Sequence, residues 1–152
     1  MKRKLISGLS IACVALIAVS SCKKNNDTTK VSTTGSTKSH NMGRNCMDCH
    51  KSGGPGDGWF TVGGTVYDSL GVNTFPNATV RFYTGPKGSG VMKYTFQVDG
   101  KGNFYNTNNV DFTTGLFASV EGPESTHYMS STLPSGQCNS CHGVSVAHIW
   151  TK

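Results

Sequence analysis

The 152-residue chain carries 14 Lys and Arg against 8 Asp and Glu, with 6 Cys and 36% hydrophobic residues. That length allows one domain with short appendages and excludes a multi-domain assembly. The formal charge of +6 does not mark a nucleic-acid binder, because the basic residues are scattered or bunched near the N-terminus.

Lys2, Arg3 and Lys4 precede an apolar run from Leu5 to Val19 that ends in Ser20-Ser21-Cys22. Residues 1–21 read as a secretory signal peptide, too short for a spanning helix. Removing Lys2, Arg3 and Lys4 from the 14 basic residues leaves 11 against 8 acidic, a net of +3. Residues 22–39 are rich in Thr, Ser, Asn and Lys, with Val31 as their large apolar side chain, so a disordered tether is expected there. Residues 40–58 hold Cys46-Met47-Asp48-Cys49-His50, then a Gly-rich loop through Gly53, Gly54, Pro55 and Gly58 that suits neither helix nor central strand.

From 59 to 122 the apolar period becomes two. Val62 and Val66 around Gly63-Gly64 predict a first strand with a bulge. Ala78, Val80 and Phe82 share one face, as do Met92, Tyr94, Phe96 and Val98, and Asp99-Gly100-Lys101-Gly102 predicts a tight turn into Phe104. Leu116, Ala118 and Val120 mark a closing strand. The expectation is a mainly β fold: a small β-sandwich of the seven-stranded type, flanked by two short irregular or helical segments. The second of these, 123–152, contains Cys138-Asn139-Ser140-Cys141-His142 and ends in a tail whose Val144, Val146, Ile149 and Trp150 suit an apolar cofactor face.

Both pentapeptides read C-x-x-C-H, the signature by which two cysteine sulfurs bond a porphyrin and the next histidine ligates its iron. The chain therefore resembles the c-type cytochromes, and the resemblance covers these two pentapeptides. It implies two covalently bound haem c groups, held by Cys46 and Cys49 and by Cys138 and Cys141, with His50 and His142 as proximal ligands. A four-thiolate zinc site or two disulfides would use the same cysteines, but neither accounts for the histidine after each pair. Val19-Ser20-Ser21-Cys22 resembles the bacterial lipobox, which makes Cys22 a lipid anchor and implies the bacterial cell envelope, with the outer membrane as the expected location. Residues 60 to 122, through Gly64-Thr65-Val66-Tyr67-Asp68 and Val98-Asp99-Gly100-Lys101-Gly102-Asn103-Phe104, resemble the carboxypeptidase regulatory-like, or transthyretin-like, sandwich, usually a non-catalytic support.

Two irons with one histidine each need a further strong-field ligand to become six-coordinate. His40 and His127, a short distance upstream of each signature, are the expected distal ligands, with His148 and Met129 as substitutes. The function expected on this resemblance is single-electron transfer between redox proteins of the envelope, without a catalytic residue of its own. A haem enzyme with one open iron site, such as a peroxidase or small-molecule reductase, and a haem-bearing interaction module are the alternatives. Homo-oligomerisation is left open.

Overall fold

The computed structural model describes residues 28–152. The signal peptide and the lipid-anchor cysteine read from the sequence lie outside the described residues. Within them, two four-stranded sheets enclose one apolar core, forming a small β-sandwich. One sheet is built on β1 (Val62–Tyr67). It pairs antiparallel with β4 (Asn103–Asn106) and parallel with two short strands in succession, β7 (Gly136–Gln137) and β8 (Ile149–Trp150). The other sheet runs β3 (Met92–Gln97), β2 (Thr79–Tyr83), β5 (Phe117–Glu121), β6 (Thr126–Tyr128), antiparallel throughout. Among the described residues no helix is long and apolar enough to cross a membrane.

The alternating strands bury the side chains that their period assigns inward. Ala78, Val80 and Phe82 are almost inaccessible, and Val80 and Phe82 stand opposite Phe96 and Tyr94 of β3. Val98, Phe104, Leu116 and Val120 complete the same core. Met92, expected on that face, is exposed at the start of β3. The turn before β4 closes on Asp99, whose Oδ1 accepts the N–H groups of Lys101 and Asn103 at 2.9 and 3.0 Å, while Gly102 takes φ +83.

Three expectations are corrected. β1 carries no bulge: its register with β4 is continuous, and the irregularity lies between Phe82 and Tyr83. Five of its six residues are buried, because the core and Cys138 cover the face of Val62, Gly64 and Val66, while Cys46 and Asn139 cover the face of Gly63 and Thr65. The sandwich does not end at 122, since β6, β7 and β8 come from the segment expected to follow it. The second pentapeptide is consequently an excursion of the chain between β7 and β8.

The third correction concerns the tether. From Lys30 to His40 the chain is a strap laid on the sandwich, held by polar contacts in place of apolar burial. Lys30 and Ser32 exchange backbone hydrogen bonds with Thr107 and Tyr105, and the buried Ser32 hydroxyl donates to the Gln97 carbonyl at 2.6 Å. Gly100 N–H donates to Ser36, and Asn77 and Gln97 side chains accept from Gly35 and Thr34. A polar stretch with few apolar residues is thus ordered by long-range partners.

Candidate functional site

The two pentapeptides fold alike. Cys46–Asp48 and Cys138–Ser140 each form a single 3-10 turn. In the first, the N–H groups of Cys49 and His50 donate to the Cys46 carbonyl at 3.3 and 2.9 Å. In the second, those of Cys141 and His142 donate to the Cys138 carbonyl at 3.3 and 3.0 Å. Both turns are pressed on β1 at its two glycines. A Cβ on Gly63 would lie 3.0 Å from the Cys46 Cβ and Sγ, and one on Gly64 would lie 3.0 Å from the Cys138 Cβ and 2.5 Å from the Phe104 ring. The glycines therefore serve close approach of the cysteines. Gly64→Val is expected to destabilise the protein by about 2–3 kcal/mol through overpacking, read by equilibrium urea unfolding.

A buried polar chain ties the turns together. Thr65 of β1, 1% exposed, donates from Oγ1 to Asn103 Oδ1 at 2.7 Å and accepts from the N–H of Gly43 and from Asn139 Nδ2. Asn139, between the cysteines of the second turn, also accepts the Thr65 N–H at 3.1 Å and donates to the carbonyl of Arg44, just ahead of the first turn. Asn45 and Gln137, each preceding a first cysteine, are hydrogen-bonded at 3.1 Å. Thus two motifs far apart in sequence lie side by side.

His50 is buried, and its ring is clamped. It stacks on Phe60 at 4.1 Å and 3°, Phe60 stacks on Tyr105, and Gly56 crosses the ring so closely that a Cβ there would lie 2.7–2.9 Å from it. Its Nδ1 lies 2.9 Å from the Asp57 carbonyl, which accepts only, so Nδ1 is the donor and Nε2 is left as the lone-pair nitrogen. His142 repeats this arrangement, its Nδ1 donating to the Ala147 carbonyl at 2.7 Å. A backbone carbonyl on one ring nitrogen is how metal-ligating histidines are oriented.

His40 and His50 line one cleft of about 580 Å³, their ring centroids 5.9 Å apart and their planes tilted by 33°. Two imidazoles on opposite sides of one metal ion, each bonded at about 2.0 Å, have ring centres about 6 Å apart. The strap sets this position. Ser39, 8% exposed, accepts from Asn103 Nδ2 at its hydroxyl and from Lys101 Nζ at its carbonyl. Cys46 and Cys49 line the same cleft with Tyr105, and Lys30, Lys38 and Arg44 bring positive charge to its wall.

No disulfide joins Cys46, Cys49, Cys138 or Cys141. Burial pushes Cys46 up to about 11, with Asp48 adding to the rise, and Cys138 up to about 12, with Cys46 adding to it. A nucleophile needs the thiolate, which these two slots penalise. Among the described residues no three His, Cys, Asp or Glu converge as a metal-binding set, so the four sulfurs do not form a closed zinc cage. At the first turn the residues present, Cys46, Cys49, His50 and His40, are ones that could hold a c-type haem.

The remaining expected ligands lie elsewhere. His127 is on β6, its Nε2 3.2 Å from the Ser125 hydroxyl and its ring 3.8 Å from Trp150. His148 lies against Tyr67 at 4.1 Å, between Gly71 and Gly143. Met129 packs on the core. Ile149 and Trp150, expected as cofactor cover, pair with β1 in β8, whereas Val144 and Val146 are exposed. Sequence reasoning missed Thr65, Asn103 and Asn139, since an Asn between two cysteines carries no signal in a single chain. No family model, curated protein or solved structure matches the chain.

Proposed function

We propose that the protein is a dihaem c-type cytochrome that passes single electrons between redox partners of the bacterial cell envelope. The observation that carries this reading is that His40 and His50 share one cleft with Cys46 and Cys49, their rings at the spacing of two imidazoles on one metal. The matched turn at Cys138, Cys141 and His142 supports a second haem beside the first. Bound there, haem c supplies a one-electron iron couple.

The chain's own residues do the rest. Cys46, Cys49, Cys138 and Cys141 would take the thioether links, and His50 and His142 would ligate through Nε2, their orientation fixed by the carbonyls of Asp57 and Ala147. Lys30, Lys38 and Arg44 offer the charge that propionates require. The stack of His50, Phe60 and Tyr105 holds one ligand rigid, which keeps reorganisation small on electron transfer. Attachment of the polypeptide to a membrane through lipid on Cys22 belongs to the same proposal.

The experiment is expression in a host with working cytochrome maturation, followed by intact mass and a pyridine haemochrome spectrum. The expected result is two covalent haems per chain, one remaining in Cys46→Ser/Cys49→Ser and one in Cys138→Ser/Cys141→Ser. A colourless wild-type product with the mass of the bare polypeptide or lipoprotein would sink the proposal.

A further inference from the structure

On the reading that two haems are bound, we infer that they are unequal: the chain fills both axial positions at His50 but only one at His142. The second iron is then open to a small neutral diatomic ligand such as carbon monoxide or nitric oxide.

The inference follows from where the donors stand. All five histidines and all methionines except Met1 are among the described residues. His40 is spent opposite His50. His127 has its Nε2 beside the Ser125 hydroxyl and its ring against Trp150, which is itself fixed by pairing with Tyr67. His148 is wedged: a Cβ on Gly143 would lie 2.5 Å from its ring and one on Gly71 3.3 Å, with Tyr67 on the ring face. Met129 packs on the core, Met47 is 8% exposed within the first turn, and Met92 lies on β3 of the other sheet. Met42 is 45% exposed but sits two residues past His40, and the next residue, Gly43, is bonded to Thr65 and covered by the Tyr67 hydroxyl.

The surroundings of His142 select the ligand class. Its loop is closed by its own Nδ1 bond to Ala147 and by the Gly143 N–H on Val146. It turns Val144, 76% exposed, and Val146, 52% exposed, to solvent, and residues 143–151 contain no Asp, Glu, Lys or Arg. This segment thus offers an anionic ligand no Lys or Arg partner, which favours an uncharged ligand. Binding is simple coordination, with no bond broken in the ligand.

The test uses the holoprotein, after mass and haemochrome have established two haems; their absence would instead overturn the parent reading. The dithionite-reduced protein is titrated with carbon monoxide, and the ferric protein is examined by electron paramagnetic resonance. One carbon monoxide per two haems, with half the ferric signal high-spin, is expected. The variant retaining only the second haem should bind one equivalent and the variant retaining only the first should bind none. His127→Ala, His148→Ala and Met42→Ala should leave the wild-type stoichiometry at one. A wild-type protein that is low-spin throughout and binds none overturns the inference, and whichever of those three variants then gains an equivalent names the ligand. Two equivalents in the wild type would overturn it as well.

Discussion

In the proposed dihaem protein, replacing His40 with alanine is expected to convert the iron at His50 from low-spin to high-spin and to raise carbon monoxide uptake by one equivalent per chain. The substitution is clean because the backbone on either side is held independently of the imidazole. Ser39 is fixed by Asn103 and Lys101, and the His40 carbonyl itself accepts from Asn103 Nδ2 at 3.2 Å. The strap therefore stays in place when the ring is removed. Losing an imidazole weakens the ferric state more than the ferrous, so the potential of that haem should rise, within the roughly 0.8 V that axial ligation controls. Free imidazole added to the variant should restore the low-spin spectrum. An unchanged spectrum in the variant would mean that another donor holds the position, and His40 would lose its assignment.

Asn139→Ala is expected to cost about 3 kcal/mol of stability and to disturb both haem environments at once. The residue is 3% exposed and makes three hydrogen bonds, two with Thr65 and one with the Arg44 carbonyl. Truncation leaves the Thr65 N–H and the Arg44 carbonyl without that partner, and an unsatisfied buried polar group costs about 1–3 kcal/mol. Gln137→Ala, which removes an exposed contact to Asn45, should cost about 0.5 kcal/mol or less. Urea unfolding of the holoproteins gives both values, and the two haem signals should shift in the first variant only. Equal costs for the two substitutions would show that the buried chain through Thr65 does not couple the turns.

The sequence made β2, β3, the Asp99 turn and β5 legible, since their apolar residues recur at period two and turn residues end them, although within β3 only Phe96 is buried. His40 drew attention in the sequence, with His127, only as a histidine shortly upstream of a C-x-x-C-H pentapeptide; that it shares a cleft with His50 was not legible, because nothing local says where the strap lies. The strap itself was not legible either. Its partners Gln97, Tyr105 and Thr107 lie more than 60 residues away, and a composition argument weighs apolar burial but not such polar contacts. β7 and β8 have two residues each, too few to show any period. Gly63-Gly64 read as a bulge because glycine in a strand has two common uses, and the second, close approach of another segment, needs a partner that the sequence does not name. His127 fitted a ligand pattern by its spacing, whereas its place in β6 beside Val120 sets what it touches.

If Cys22 carries lipid, as proposed, the ordering of the strap would shorten the mooring of the molecule. Eight peptide units separate Cys22 from Lys30, where bonding to the sandwich begins. A chain advances at most about 3.6 Å per residue, so lipid on Cys22 would keep Lys30 within about 29 Å of the bilayer at full stretch. Because Thr29 and Lys30 line the cleft that holds His40 and His50, such an anchor would hold that opening within reach of the membrane. A donor embedded in the bilayer would meet this end of the pair first, leaving the Cys138 end for partners arriving from solution.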